Sequence, residues 1–183
     1  MRLIQAKTLK QWIKIYKLYK KAFPKYERKP FWLILRTKHR GKTDVWYIEE
    51  EQKFVGLAIT MNAEELVLLD YFAISDERRG CGVGSESLAM LQRQYAGRKF
   101  FLEIESVYEK ADNIEERKRR KQFYLRNKMT EMRVMVTLFG VNMELLGYDC
   151  QVDFESYYSL YRKLYGKNAA RFVVEADYPK NWI

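Results

Sequence analysis

Arg79-Gly80-Cys81-Gly82-Val83-Gly84-Ser85 is the stretch on which the reading of this chain turns. It follows an apolar run, Leu66–Ile74, and precedes residues whose apolar spacing is helical from Ser85 to about residue 95. A strand, a glycine turn and a helix start, in that order, make an anion cradle. Glycine has no Cβ, so the backbone can enter left-handed angles and come close to a phosphate, and the first N–H groups of a helix have no partner within it. Arg78 and Arg79 stand beside the turn. Charge-assisted bonds from their guanidinium groups make a pyrophosphate the fitting guest.

The chain has 183 residues, the size of one ordinary domain, and 48% apolar with 15% aromatic residues argues against disorder. A single domain over residues 1–183 is expected, with a core to about residue 150 and an extension over 151–183. No apolar run is long enough to cross a bilayer, and residues 1–7 lack the apolar centre of a signal peptide. Two cysteines, Cys81 and Cys150, give no disulfide framework and suit a reducing cytoplasm. The net charge of +10 is local. Residues 1–40 hold 13 Lys or Arg against one acid, Glu27, whereas the rest holds 21 basic against 23 acidic residues. Such a patch attracts nucleic acid, an acidic acceptor or cofactor phosphates. Lys7, Lys10, Lys14, Lys17 and Lys21 also recur at helical spacing opposite Leu9, Trp12, Ile13, Tyr16, Tyr19 and Phe23, as in an ordinary amphipathic helix.

Thr8 is the expected N-cap of a first helix to about residue 22, ended by Pro24, and Pro30 opens a second, Phe31–His39. Residues 45–48, 54–61 and 66–74 read as neighbouring strands, with 3–6 as a short edge strand. After the glycine turn come a strand over 100–105, a helix over 114–127, and strands over 133–139 and 141–146, where no two-residue hairpin turn is obvious. The extension reads as a helix from Asp153 to about Tyr165, ended by Gly166, and a strand over 171–175.

The spacing of Arg79, Gly82 and Gly84, Arg-x-x-Gly-x-Gly, resembles the acyl-CoA pyrophosphate motif of the GNAT acetyltransferase superfamily. Phe123-Tyr124-Leu125-Arg126-Asn127-Lys128-Met129 resembles that family's Phe-Tyr-x-x-x-Gly-Phe segment. The resemblance covers roughly residues 8–148. It implies an α/β fold with a mixed, mostly antiparallel sheet of six or seven strands flanked by helices, and acetyl-CoA as cosubstrate. Its cofactor-binding positions would be Phe72, Ala73, Ile74, Arg78, Arg79, Gly80, Cys81, Gly82, Val83, Gly84 and Ser85, the first three through backbone groups beside a gap after Ile74. The implied reaction is direct acetyl transfer to a primary amine of a small molecule or protein. The alternative is a protein of the same fold that binds acyl-CoA without transfer. Two departures stand out: Arg117 replaces the family's Asn seven residues before the tyrosine, and Lys128 replaces the glycine after Asn127.

The resemblance makes Tyr124 the general acid that protonates the departing thiolate. For the base, Glu103 and Glu105 alternate with the apolar residues of the 100–105 strand, and Glu103 lies in a Leu-Glu-Ile context similar to that of ribosomal-protein N-terminal acetyltransferases, where the glutamate is the base. Asp70, inside the preceding strand, is the competitor as base or as a hydrogen-bonded structural group. Gly80, Gly82 and Gly84 have the wrong spacing for a dinucleotide fingerprint, and no Gly-Lys-Ser/Thr follows for a Walker loop. His39 is the sole histidine, so neither a histidine triad nor a histidine metal site is expected, and no metal is implied. No nucleic-acid signature is present. The expected partners are acetyl-CoA and an amine, with no membrane, and a homodimer fits as well.

Overall fold

The computed structural model describes residues 1–25 and 27–179. Among them, six helices and eight strands, mostly antiparallel, form a mixed α/β fold. They fall into two compact units: residues 1–62 with 69–96, and residues 63–68 with those from 97 onward.

The first unit contains β1 (Arg2–Gln5), α1 (Leu9–Ala22), α2 (Phe31–His39), β2 (Thr43–Glu50), β3 (Lys53–Ala63), β4 (Leu66–Ile74) and α3 (Val83–Gln94). Its strands run in the order β1-β2-β3-β4, with Arg2 opposite Glu49 and Val45 opposite Ile59. Thr8 caps α1 through a capping box with Gln11, whose side chain returns to the Thr8 N–H at 3.0 Å. Ile15, Leu18 and Tyr19 of α1 and Ile34 of α2 pack on Val45, Leu57 and Ile59. Leu9, Ile13 and Tyr16, expected on the buried face, are exposed instead. The helix has a second, outward apolar stripe, because the sheet covers only the one centred on Ile15 and Leu18. Glu51 and Gln52, at φ 47° and 63°, form a two-residue type I′ turn between β2 and β3.

The second unit contains β5 (Lys99–Glu105), α4 (Ile114–Arg126), β6 (Thr130–Leu138), β7 (Val141–Tyr148), α5 (Phe154–Tyr165), α6 (Lys167–Ala170) and β8 (Val173–Ala176). Its strands run β5-β7-β6-β8, all antiparallel neighbours. The extension thus adds a strand, β8, beside β6, and takes the count above the six or seven expected. Residues 180–183 of that extension lie outside the described residues. Phe139 and Gly140, at φ 49° and 85°, close a two-residue turn between β6 and β7, which was not legible because Phe seldom adopts that angle. No helix of the described residues is long and apolar enough to cross a membrane.

The end of α4 answers the Lys128 departure. The Met129 N–H donates to Tyr124 C=O at 3.1 Å and the Lys128 N–H to Leu125 C=O at 3.2 Å, with Lys128 at φ 67°. This is a Schellman motif in which lysine occupies the left-handed position that glycine favours. Lys128→Gly should therefore stabilise the protein by about 0.5–1 kcal/mol, measured by urea unfolding; a destabilisation would show that the Lys128 side chain contributes more than its backbone strain costs.

Candidate functional site

In the first unit, β4 ends at Ile74, a 3₁₀ turn spans Asp76–Arg78, and the chain enters α3 through Gly80 and Gly82 at φ 77° and 80°. The helix starts at Val83, two residues before the expected Ser85, so Val83, Gly84 and Ser85 all lie in its first turn. Glu86 N–H donates to Gly82 C=O at 3.1 Å. The N–H groups before it have no acceptor within the helix and lie at the positive end of its dipole. A Cβ at Gly80 or Gly82 would meet nothing within 4 Å. The backbone angle, and not crowding, demands glycine there. Cys81 is exposed. Behind the loop, Gly56 of β3 lies so close to the end of β4 that a Cβ would stand 2.7 Å from the Ala73 carbonyl oxygen and 2.8 Å from Ile74 Cδ1. Phe72 is half-buried, and Ala73 and Ile74 are buried.

Both arginines of the loop are held by carboxylates. Arg79 pairs with Asp76 at 2.9 Å and donates from Nε to Ile74 C=O at 3.3 Å. Lys21 reaches Asp76 at 2.7 Å, and this hydrogen bond, with the Arg79 charge, holds the Asp76 carboxyl below its ordinary range. Arg78 pairs with Glu50, yet its Nε is buried with no hydrogen-bond partner among the described residues. First-turn N–H groups without an acceptor in the helix, two cations and an orphaned guanidinium N–H suit a bound pyrophosphate. Gly82→Ala would force a left-handed angle costing about 1–2 kcal/mol. It should weaken binding of a pyrophosphate-bearing ligand roughly tenfold; unchanged binding would remove the loop from that role.

In the second unit, Tyr124 is buried in the last turn of α4, its ring 5.2 Å from that of Phe123. Its hydroxyl makes no hydrogen bond among the described residues. Burial pushes its pKa up to about 12, the Arg120 charge countering only in part. Glu103 of β5 accepts hydrogen bonds from the buried phenols of Tyr157 and Tyr161 on α5, the latter at 3.0 Å. Glu105, at the end of β5, pairs with Arg117 at 2.8 Å and Arg120 at 3.4 Å. Arg117, which replaces the family's Asn, also donates to Asn113 at 2.9 Å and to Ser106 C=O at 3.1 Å. In the first unit, Asp70 pairs with Lys29 at 2.6 Å. All three carboxylates weighed as base are thus engaged. Of the other basic residues in 118–121, Lys118 pairs with Glu115, Arg120 with Glu105 and Glu116, and Lys121 with Glu144 and Glu131.

Residues 12–117, more than half of the chain, match the model of the Acetyltransferase (GNAT) family. The chain belongs to that family. The match contains the whole glycine loop and ends before Tyr124. No curated protein sequence matches the chain significantly. Among solved structures, a protein from Bacteroides thetaiotaomicron assigned to the GNAT family is 22% identical, with a TM-score of 0.75 over 91% of this chain and 99% of that one. An aminoglycoside 6'-N-acetyltransferase complexed with coenzyme A is 12% identical, with a TM-score of 0.65 over 84% and 100%. The aminoglycoside 6'-N-acetyltransferase from Enterococcus faecium is 10% identical, with a TM-score of 0.60 over the same shares. These likenesses establish the GNAT fold. What sequence reasoning missed are the α5 phenols that hold Glu103. Tyr157 and Tyr161 at i, i+4 were the available signal, indistinguishable there from ordinary core aromatics.

Proposed function

We propose that the chain is an acetyl-CoA-dependent N-acetyltransferase, one cytoplasmic domain acting on a primary amine. The observation that carries this reading is the glycine loop, with Gly80 and Gly82 left-handed ahead of α3, whose first N–H groups have no acceptor within the helix. Residues Arg78 to Ser85 would hold the pyrophosphate through those donors and the two guanidinium groups, and the backbone of Phe72, Ala73 and Ile74 would hold the pantetheine arm. Bound acetyl-CoA supplies the acyl group: its C–S bond breaks as the C–N bond to the amine forms. Tyr124 gives its hydroxyl proton to the departing sulfur.

The proton lost by the amine needs an acceptor. Glu103, the first candidate, already accepts hydrogen bonds from two phenols. Asp70 is likewise paired with Lys29, and Glu105 with two arginines. Release to solvent water, with Glu103 fixing α5 on β5, suits these contacts better. Glu103→Gln separates the roles: a lower stability with kcat nearly retained supports the fixing role, and a loss of about 10²-fold or more in kcat with an altered acid limb restores the base. Free thiol released from acetyl-CoA, followed with a panel of primary amines, tests the whole reading. Binding of acetyl-CoA without any transfer would favour the non-catalytic alternative.

A further inference from the structure

Helix α1 is cationic beyond what its own stability favours. Neither α1 nor α2 contains an acidic residue. Lys10, Lys14, Lys17, Lys20 and Lys21 adjoin one another at three- and four-residue spacings, where like charges destabilise a helix, and Lys10 sits in the first turn against the dipole. Lys21 is paired with Asp76, and Lys14 hydrogen-bonds the Tyr47 hydroxyl at 3.3 Å. Lys10, Lys17 and Lys20 have no acidic partner among the described residues; Lys20 lies over the Tyr16 ring, 5.4 Å from its centre.

The outward stripe runs between these lysines, with Leu9 76%, Ile13 46% and Tyr16 43% exposed. Trp12, Ile13, Tyr16 and Phe31 line a recess of about 340 Å³, its walls set by ring contacts of Phe31 with Trp12 at 6.0 Å and with Tyr16 at 4.9 Å. It continues into a second recess of about 540 Å³ flanked by Lys17, Lys20 and Lys21. An apolar floor beside a cationic rim has a specific complement. We propose that this recess docks an acidic protein segment, one that sets a bulky apolar side chain between carboxylates. The apolar group would fill the aromatic recess, and the carboxylates would meet Lys17 and Lys20, relieving the repulsion that α1 now carries. None of these residues belongs to the glycine loop or to α4, so docking and acetyl transfer can fail separately.

The test uses fluorescein-labelled synthetic peptides and the full chain, read by anisotropy: an Asp/Glu octapeptide with a central Phe-Leu pair, the same peptide with every carboxylate changed to amide, and an all-Glu octapeptide. The first should bind saturably. Lys17→Glu with Lys20→Glu should weaken it about tenfold or more, as should the amide peptide. Ile13→Ser should weaken it with charges intact, and circular dichroism and acetyl-CoA binding should be unchanged in both variants. Absence of binding by the first peptide, equal binding of the all-Glu peptide, or indifference to both variants would overturn the proposal. So would binding confined to phosphatidylserine vesicles or to single-stranded RNA.

Discussion

Tyr124→Phe is expected to lower kcat about 10²–10⁴-fold, with KM for acetyl-CoA and thermal stability close to those of the unsubstituted protein. The substitution removes only a hydroxyl. Since that hydroxyl makes no hydrogen bond among the described residues, its loss leaves no orphaned partner, and the ring keeps its place against Phe123. If Tyr124 has the proposed role, the cost appears in kcat and not in folding. Burial holds the phenol at about 12, roughly two units above an ordinary tyrosine, so it is a weaker acid by about 3 kcal/mol but fully protonated at neutral pH. Because the folded value lies above the unfolded one near 10, the neutral phenol's contribution to stability is complete below about pH 10 and is lost as pH rises through the folded value. Tyr124 should give no alkaline limb in kcat below about pH 10. A kcat within threefold of the unsubstituted enzyme would remove Tyr124 from the reaction.

Glu144→Ala should cost about 3–5 kcal/mol of stability, lowering Tm by about 8–16 °C. The Glu144 side chain is 1% exposed, accepts from Lys121 Nζ at 2.6 Å, and takes the Val107 N–H at 2.8 Å. Lys121 also reaches Glu131 at 3.1 Å and the Tyr108 hydroxyl at 3.2 Å, and the Tyr178 hydroxyl donates to Glu131 at 2.6 Å. Burial alone would lower the Lys121 ammonium, but the hydrogen bonds it donates to Glu144, Tyr108 and Glu131 carry it above its ordinary value. Burial likewise opposes ionisation of Glu131, and Tyr178 and Lys121 reverse this to bring it below the usual range. The Lys121 contribution is therefore present below about pH 10.5 and lost as pH rises through its folded value. That of Glu131 is present above about pH 4.5 and lost as pH falls through its own. Removing Glu144 leaves the Lys121 charge and the Val107 N–H under-satisfied, whereas Lys121→Met with Glu144→Leu should recover at least half of the loss. A single-variant cost below about 1 kcal/mol, measured by urea unfolding, would contradict the buried network.

Local signals in the chain carried most of the fold. Thr8, the glycine turn before α3 and the apolar runs of β3 and β4 placed these elements within a residue or two, because each rests on chemistry internal to a short segment. The two hairpin turns were illegible because Glu51, Gln52 and Phe139 adopt left-handed angles imposed by strand pairing, against their own preference. The outward stripe of α1 failed for a related reason: helical spacing shows two apolar stripes, and only the packing chooses which is covered. Around the candidate site, the glycine spacing made the loop's left-handed turn readable, while the motif placed Tyr124 only at the end of a helix. The engagement of Glu103 by α5 was not, since it joins residues more than fifty positions apart.

Titration calorimetry with coenzyme A tests the central claim most directly. The expected result is one-to-one binding in the micromolar range, weakened about tenfold by Gly82→Ala and unaffected by Lys17→Glu with Lys20→Glu. No heat at millimolar coenzyme A, or full binding retained in Gly82→Ala, would contradict the assignment of residues 78–85 as its pyrophosphate cradle.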